Sequence, residues 1–255
     1  MTALPIRFVL VDTSHPGNIG AAARAMKNME LAELALVRPR QFPHPDALAR
    51  SSGADDLLAR ARVCATLAEA IEGCGFVLAC TARVRDHYYR VLDVRDAAMR
   101  AVAESAAAPV AVVFGAEQSG LSNEDLAPAH ALLRIPTGAA YASLNLAMAV
   151  QVVAYEIFRT RAAMGPGGLP PVAAALREAP LADPAAMERL YAHLEAVLDL
   201  IDFRDRTQAG THLMKRIRRF LQRAELDANE VNILRGMLTA VQQQRRHAGG
   251  AGPSA

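Results

Sequence analysis

Five short runs of this chain are apolar at nearly every position: Ile6–Val11, Leu34–Val37, Phe76–Cys80, Val110–Phe114 and Leu132–Ile135. A strand with one wet face alternates apolar and polar residues, whereas a strand without that alternation needs cover on both faces. The segments between the runs have helical character at Ile19–Met29, Thr66–Glu72, Asp96–Ser105 and Asn145–Arg159. Strands and helices in alternation, with the strands apolar on both sides, predict an α/β fold built on a parallel sheet. Ligands of such sheets bind at the carboxyl ends of the strands. The residues that follow each run are therefore the first candidates for function.

Three of those ends carry Gly- or Asn-bearing loops, which points to one composite site. The first is His15-Pro16-Gly17-Asn18-Ile19-Gly20, running on to Arg24. The second is Gly115-Ala116-Glu117-Gln118-Ser119-Gly120-Leu121, and the third is Ile135-Pro136-Thr137 leading to Ser143-Leu144-Asn145. Gly115 and Gly120 have the spacing that opens a P-loop, but Leu121 stands where the phosphate-binding Lys belongs, so a nucleoside-triphosphate site is excluded. The glycines still let backbone groups approach a ligand closely. Glu117 is either a hydrogen-bond acceptor of the site or a solvated turn residue, and the loop alone does not decide. Pro16-Gly17-Asn18 makes a turn and Ile19 onward starts a helix, whose N-terminus together with Arg24 and Lys27 favours an anion nearby, although most arginines are simply exposed. Ser143 and Asn145 at a helix start are also ordinary capping residues.

Beyond residue 163 the composition changes. Met164–Asp183 is rich in Gly and Pro, cannot continue a helix, and is read as a linker. Residues 184–246 then repeat apolar positions at three-to-four spacing, as in Met187, Leu190, Leu194, Val197 and Ile201. Leu213, Ile217, Phe220 and Leu221 form a second apolar face. Opposite it lie Lys215, Arg216, Arg218, Arg219 and Arg223, with no acid between Met214 and Arg223. That stripe predicts phosphate binding; a membrane-surface helix would look similar, but Val231–Val241 next door offers an apolar face for this helix to pair with. Residues 1–163 form the sheet domain, and 247–255 are expected to be a disordered tail.

The net charge is only +2, so a polyanion contact should be local. Three cysteines without CxxC spacing imply neither a disulfide framework nor a zinc site, and a reduced, cytoplasmic chain is expected. No signal-peptide pattern precedes the first strand. Gly138–Tyr155 carries no charge, but its Tyr141, Ser143, Asn145 and Gln151 argue against a membrane span. Leu146, Met148, Ala149, Val150, Val152, Val153 and Ile157 cover most of that helix's circumference. An apolar face left over after packing on the sheet predicts a homodimer interface.

Taken together and in order, these segments resemble the SPOUT superfamily of RNA 2′-O-methyltransferases, and more narrowly its TrmJ-type tRNA methyltransferases. The residues that carry the resemblance are Thr13-Ser14-His15, Gly17-Asn18, Ala23-Arg24-Ala25-Met26, Phe114-Gly115 and Gly120-Leu121-Ser122-Asn123-Glu124. They continue through Ser143-Leu144-Asn145-Leu146-Ala147-Met148 and, in the helical tail, Leu190–Leu194, Arg218-Arg219 and Asn232-Ile233-Leu234-Arg235-Gly236. The resemblance implies a sheet domain with a deep C-terminal trefoil knot and a small all-helical extension. It implies S-adenosylmethionine as cofactor, held by Cys80, Thr81, Ala82, Gly115, Gly120, Leu121, Ile135, Ala142, Ser143 and Leu144. It implies catalysis by Arg24, with Asn18, Glu117, Ser143 and Asn145 orienting the reacting groups, in a homodimer that brings Arg24 of one subunit to the cofactor of the other. The implied substrate is a cytidine or uridine at position 32 of the tRNA anticodon loop, and no metal is implied. An rRNA methyltransferase of the same superfamily and a non-catalytic RNA-binding protein remain alternatives.

Overall fold

A computed structural model describes residues 4–82, 89–138, 143–164, 179–203 and 213–250. The chain divides into two compact units, Met1–Arg177 and Glu178–Ala255.

The first unit is a seven-stranded sheet in which every paired neighbour runs parallel. Its strands are β1 (Ile6–Val11), β2 (Glu33–Val37), β3 (Arg62–Cys64), β4 (Phe76–Cys80), β5 (Val91–Asp93), β6 (Val110–Phe114) and β7 (Ala131–Arg134). Their order across the sheet is β3-β2-β1-β6-β4-β7-β5. The two last strands in sequence thus lie inside the sheet, β6 between β1 and β4, and β7 between β4 and β5. The five apolar runs became the five central strands, with β7 ending one residue before Ile135. The two that the apolar pattern missed, β3 and β5, are three-residue edge strands with two exposed residues each. An edge strand with solvent on one side carries no continuous apolar signal.

The helices of this unit are α1 (Pro16–Asn28), α2 (Pro45–Ser51), α3 (Asp55–Ala59), α4 (Leu67–Ala70), α5 (Val94–Glu104), α6 (Asn123–Leu126) and α7 (Leu146–Met164). Strand side chains alternate between two apolar layers. Val9, Val11, Ala35, Val37, Val77, Ala79, Ala111 and Val113 pack with Leu67, Ala70 and Ile71 around α4 and with Leu126 of α6. On the other face Phe8 and Phe114 meet with ring centroids 5.4 Å apart, and Arg100 of α5 lies 4.9 Å over the Phe76 ring. The α7 helix packs against both α1 and α5. Burial of each such aromatic contributes roughly 1.5–3 kcal/mol.

Helix α1 also lies hard against α2. A Cβ on Gly20 would sit 2.0 Å from the Ala47 carbonyl oxygen, so this crossing exists only because position 20 has no side chain.

The second unit holds α8 (Pro184–Leu200), α9 (Leu213–Ala224) and α10 (Ala228–Gly250). Asp183 caps α8 by accepting from the Ala186 amide at 2.6 Å, and Pro184 occupies the first turn, where a missing N–H is harmless. Met187, Leu190, Tyr191, Leu221 and Val231 form the core of this unit. Helix α10 continues through Gly250, and residues 251–255 of the expected tail lie outside the described residues.

Candidate active site

Strands β1 and β6 are direct neighbours, with Leu10 opposite Phe114, so the loops that follow them leave the sheet side by side. The β6 loop folds back on itself. The Gly120 amide donates to the Ala116 carbonyl at 2.8 Å, and Gly120 takes a left-handed φ of 70°. Gly115 sits under this turn. A Cβ there would be 2.2 Å from the Gly120 carbonyl carbon and 2.3 Å from the Leu121 nitrogen, both backbone atoms. The loop is closed by buried Leu121 and then by a capping box, in which Ser122 and Asp125 satisfy the first turn of α6.

This turn holds Glu117 out toward the β1 loop. One carboxylate oxygen accepts from the Ser14 amide at 3.0 Å and from the Ser14 hydroxyl at 2.8 Å. The other accepts from the Asn18 side-chain amide at 2.8 Å and from the His15 amide at 3.3 Å. Partial burial raises the Glu117 pKa, but the Ser14 and Asn18 hydrogen bonds outweigh it and hold the carboxyl at about 2. The residue is an ionised acceptor at neutral pH. Helix α1 has no side-chain cap of its own at His15, and Glu117 supplies the anion that its N-terminus favours.

The contacts continue from there. Asn145 donates its side-chain amide to the Asn18 side-chain oxygen at 3.1 Å, and its own side-chain oxygen accepts from the Ala147 amide at 2.9 Å, opening α7. Each amide is oriented by the previous one, because a carboxylate can only accept and so fixes which end of Asn18 faces it. A sequence separation of about a hundred residues thus closes into one path, Glu117–Asn18–Asn145.

Beside that path the carboxyl ends of β6, β4 and β7, three adjacent strands, and the start of α7 enclose a cleft of about 150 Å³. Of the residues expected around a cofactor, Cys80, Thr81, Ala82, Gly115, Gly120, Leu121, Ile135, Ser143 and Leu144 all line it, as does Glu117. Ala142 lies outside the described residues. Phe114, Thr137, Leu146 and Ala149 line it as well. Thr137 belongs to the third loop singled out in the sequence, whereas the place of Phe114, Leu146 and Ala149 in the wall is revealed by the fold. Burial pushes the Cys80 thiol up to about 12, so it stays protonated and serves as wall rather than nucleophile. The contact between Ser14 and Glu117 joins residues about a hundred positions apart and leaves no local signal along the sequence.

Arg24 is not in the cleft. It is exposed on α1, six residues beyond Asn18, about 9 Å further along the axis and on another side of the helix. Among the described residues no group of His, Cys, Asp or Glu could hold a metal ion.

In the second unit Lys215, Arg216 and Arg223 are exposed on α9. Arg218 is committed within the unit, pairing with Glu188 at 2.5 Å and lying 4.4 Å over the Tyr191 ring. Arg219 is half-buried. Among the described residues no helix is long and apolar enough to cross a membrane.

Comparison with known proteins assigns both units. The sequence model of the SpoU rRNA Methylase family matches residues 5–155, and that of the tRNA methyltransferase TrmJ C-terminal domain matches residues 185–250. The chain is 45% identical over 247 residues to the tRNA (cytidine/uridine/adenosine-2′-O-)-methyltransferase TrmJ of Pseudomonas aeruginosa, covering 94% of this chain and 95% of that one. It is 43% identical to the tRNA (cytidine/uridine-2′-O-)-methyltransferase TrmJ of Yersinia enterocolitica, covering 95% and 93% of the two chains. Among solved structures, TrmJ from Z. mobilis superposes with a TM-score of 0.76 at 33% identity, covering 92% of this chain and 98% of that one.

Proposed function

The chain belongs to the SpoU methylase family, and from that premise we propose that it transfers a methyl group from S-adenosylmethionine to the ribose 2′-hydroxyl of a tRNA. The nucleotide we assign is a pyrimidine, cytidine or uridine, at position 32 of the anticodon loop. The observation that carries this reading is the pairing of a methylase match on one unit with a tRNA-methyltransferase match on the other, in that order. The helical unit speaks against an rRNA enzyme, and the intact Glu117–Asn18–Asn145 path speaks against a chain that has lost catalysis.

The cleft suits the cofactor. It combines apolar walls at Phe114, Leu121, Ile135, Leu144 and Leu146 with loop backbone that only Gly115 lets close, and one ionised carboxylate at Glu117. When bound there, S-adenosylmethionine supplies an electrophilic methyl on a positively charged sulfur. The chain's own residues then have separable roles. Cys80, Thr81, Ala82, Gly115, Gly120, Leu121, Ile135, Ala142, Ser143 and Leu144 hold the cofactor. Asn18, Glu117 and Asn145 fix the loops that shape the mouth, and Ser143 stands at that mouth.

Arg24 carries the remaining task. A guanidinium is always protonated, so it does not remove the proton of the 2′-hydroxyl. We assign it to stabilising the charge that develops on that oxygen, with a phosphate oxygen or solvent taking the proton.

Because Arg24 is exposed and does not line its own cleft, we take the active form to be a homodimer in which each subunit's Arg24 serves its partner's cleft. The outer stripe of α7 supports this, with Met148 61% and Tyr155 49% exposed on a helix that packs against α1. The order of β6 and β7, inserted last between earlier strands, supports the deep trefoil knot of the superfamily. Free cysteines and a tRNA substrate fit the cytoplasm.

Arg24→Ala tests the assignment. Turnover should fall by a factor on the order of 10³, while the Kd for S-adenosylmethionine stays within about threefold. Retained turnover would remove Arg24 from the mechanism.

A further inference from the structure

Apolar periodicity places Phe220 with Leu213, Ile217 and Leu221 on one face of α9. The structure separates them. Met214, Ile217 and Leu221 join the core of the helical unit, whereas Phe220 is 50% exposed. Its neighbours at helical spacing are Arg216, four residues before it, and Arg223, three residues after it, both exposed. Residues three and four apart share a helix face. The outer side of α9 is therefore an aromatic ring set between two guanidinium groups, with Lys215 beside them and no acid anywhere in Leu213–Ala224.

We propose that this face is a stacking contact for the tRNA, in which Phe220 packs on an unpaired nucleobase while Arg216 and Arg223 hold the flanking phosphates. The inference rests on the tRNA reading above and names a contact that reading does not contain. Phosphate contacts position a nucleic acid without reading it, and aromatic rings bind bases that are not paired. Arginines interleaved with one ring match a strand whose backbone charges alternate with its bases. A membrane surface would need a continuous apolar face turned outward, and here that face is the one buried in the core. A second copy of the same face would bring like charges together.

The chain contains no tryptophan, so Phe220→Trp in the full-length protein creates a single emitter at this position. Its emission is expected to be quenched on saturation with an unmodified tRNA transcript, with a Kd within about threefold of wild type. Phe220→Leu is expected to weaken tRNA binding on the order of tenfold with an unchanged salt dependence. Arg216→Ala should instead flatten the slope of log Kd against log salt by about one. The Kd for S-adenosylmethionine should be unchanged in all three.

Unmoved emission in the saturated complex, or wild-type affinity in Phe220→Leu, would overturn the stacking contact. So would an emission shift with phosphatidylserine vesicles and none with tRNA, or a loss of self-association by Phe220→Leu in sedimentation. A wild-type protein that neither binds nor methylates tRNA would overturn the function itself. One that does both beside a neutral Phe220→Leu would overturn only this contact.

Discussion

A carboxylate that accepts from the Ser14 amide, the Ser14 hydroxyl, the His15 amide and the Asn18 side chain is occupied on both oxygens. Its pKa of about 2 keeps it an ionised acceptor at neutral pH, and we assign Glu117 to orienting the site rather than to proton transfer. Replacing it with Gln puts an amide donor among donors. We expect Glu117→Gln to destabilise the protein by about 1–2 kcal/mol at pH 7, the value of a hydrogen bond to a charged group reduced for partial exposure. The sign with pH follows from the lowered pKa. The contribution of Glu117 is full above its ordinary value of 4.5 and is lost as pH falls from there through about 2. Urea unfolding of both proteins at pH 7 and pH 3 checks this, and an equal gap at the two pH values would contradict it. Glu117 was visible in the sequence as a charged residue inside a Gly-flanked turn, but not its use. Hydrogen bonds to residues about a hundred positions away leave no local signature, and Ser14 was missed for the same reason.

At the scale of elements, two glycines set how closely the pieces approach. Gly115→Ala drives a methyl into the backbone of Gly120 and Leu121, so the cleft loop must open. The Kd for S-adenosylmethionine should rise at least on the order of tenfold, since a misplaced binding loop loses several contacts at once. Isothermal titration reads this directly. Gly20→Ala should cost stability instead, by about 1–3 kcal/mol or more, because the clash is with the Ala47 carbonyl rather than with the cleft. Thermal unfolding distinguishes the two variants.

The central strands and the long helices were legible because burial on both faces imposes a run of apolar residues. The short elements α2, α3, α6, β3 and β5 were not, being too brief to show a period. Helix α2 is seven residues held at its start by His44 accepting from the Asp46 amide at 3.2 Å, which is turn chemistry rather than pattern. Phe220 marks the limit of periodicity from the other side. Spacing assigns it to the apolar face, yet the core of its unit is filled by Met214, Ile217 and Leu221 without it. For α7, apolar residues over most of the circumference predict a homodimer interface, and Met148 and Tyr155 stand exposed on that helix. Replacing both with Glu should convert the protein to monomers in sedimentation and abolish turnover if Arg24 acts across the dimer. A monomeric variant with full turnover would return Arg24 to its own chain's cleft.

At the scale of the whole molecule, we propose that chemistry and tRNA contact fall on different units. The sheet unit carries the cleft and its oriented loops. The helical unit carries an outward basic face, while the protein as a whole is nearly neutral, so its affinity for RNA should be localised there and steeply salt-dependent. The two-part organisation was legible from the Gly- and Pro-rich stretch between 164 and 183. The strand order was not, because nothing along a chain announces that its last two strands will slide between earlier ones. The most direct test of the account is methyl transfer from labelled S-adenosylmethionine to unmodified tRNA, with the modified nucleoside identified and mapped. Label is expected on the ribose 2′-oxygen of a cytidine or uridine at position 32. Label on a base, or in ribosomal RNA and not in tRNA, would contradict it.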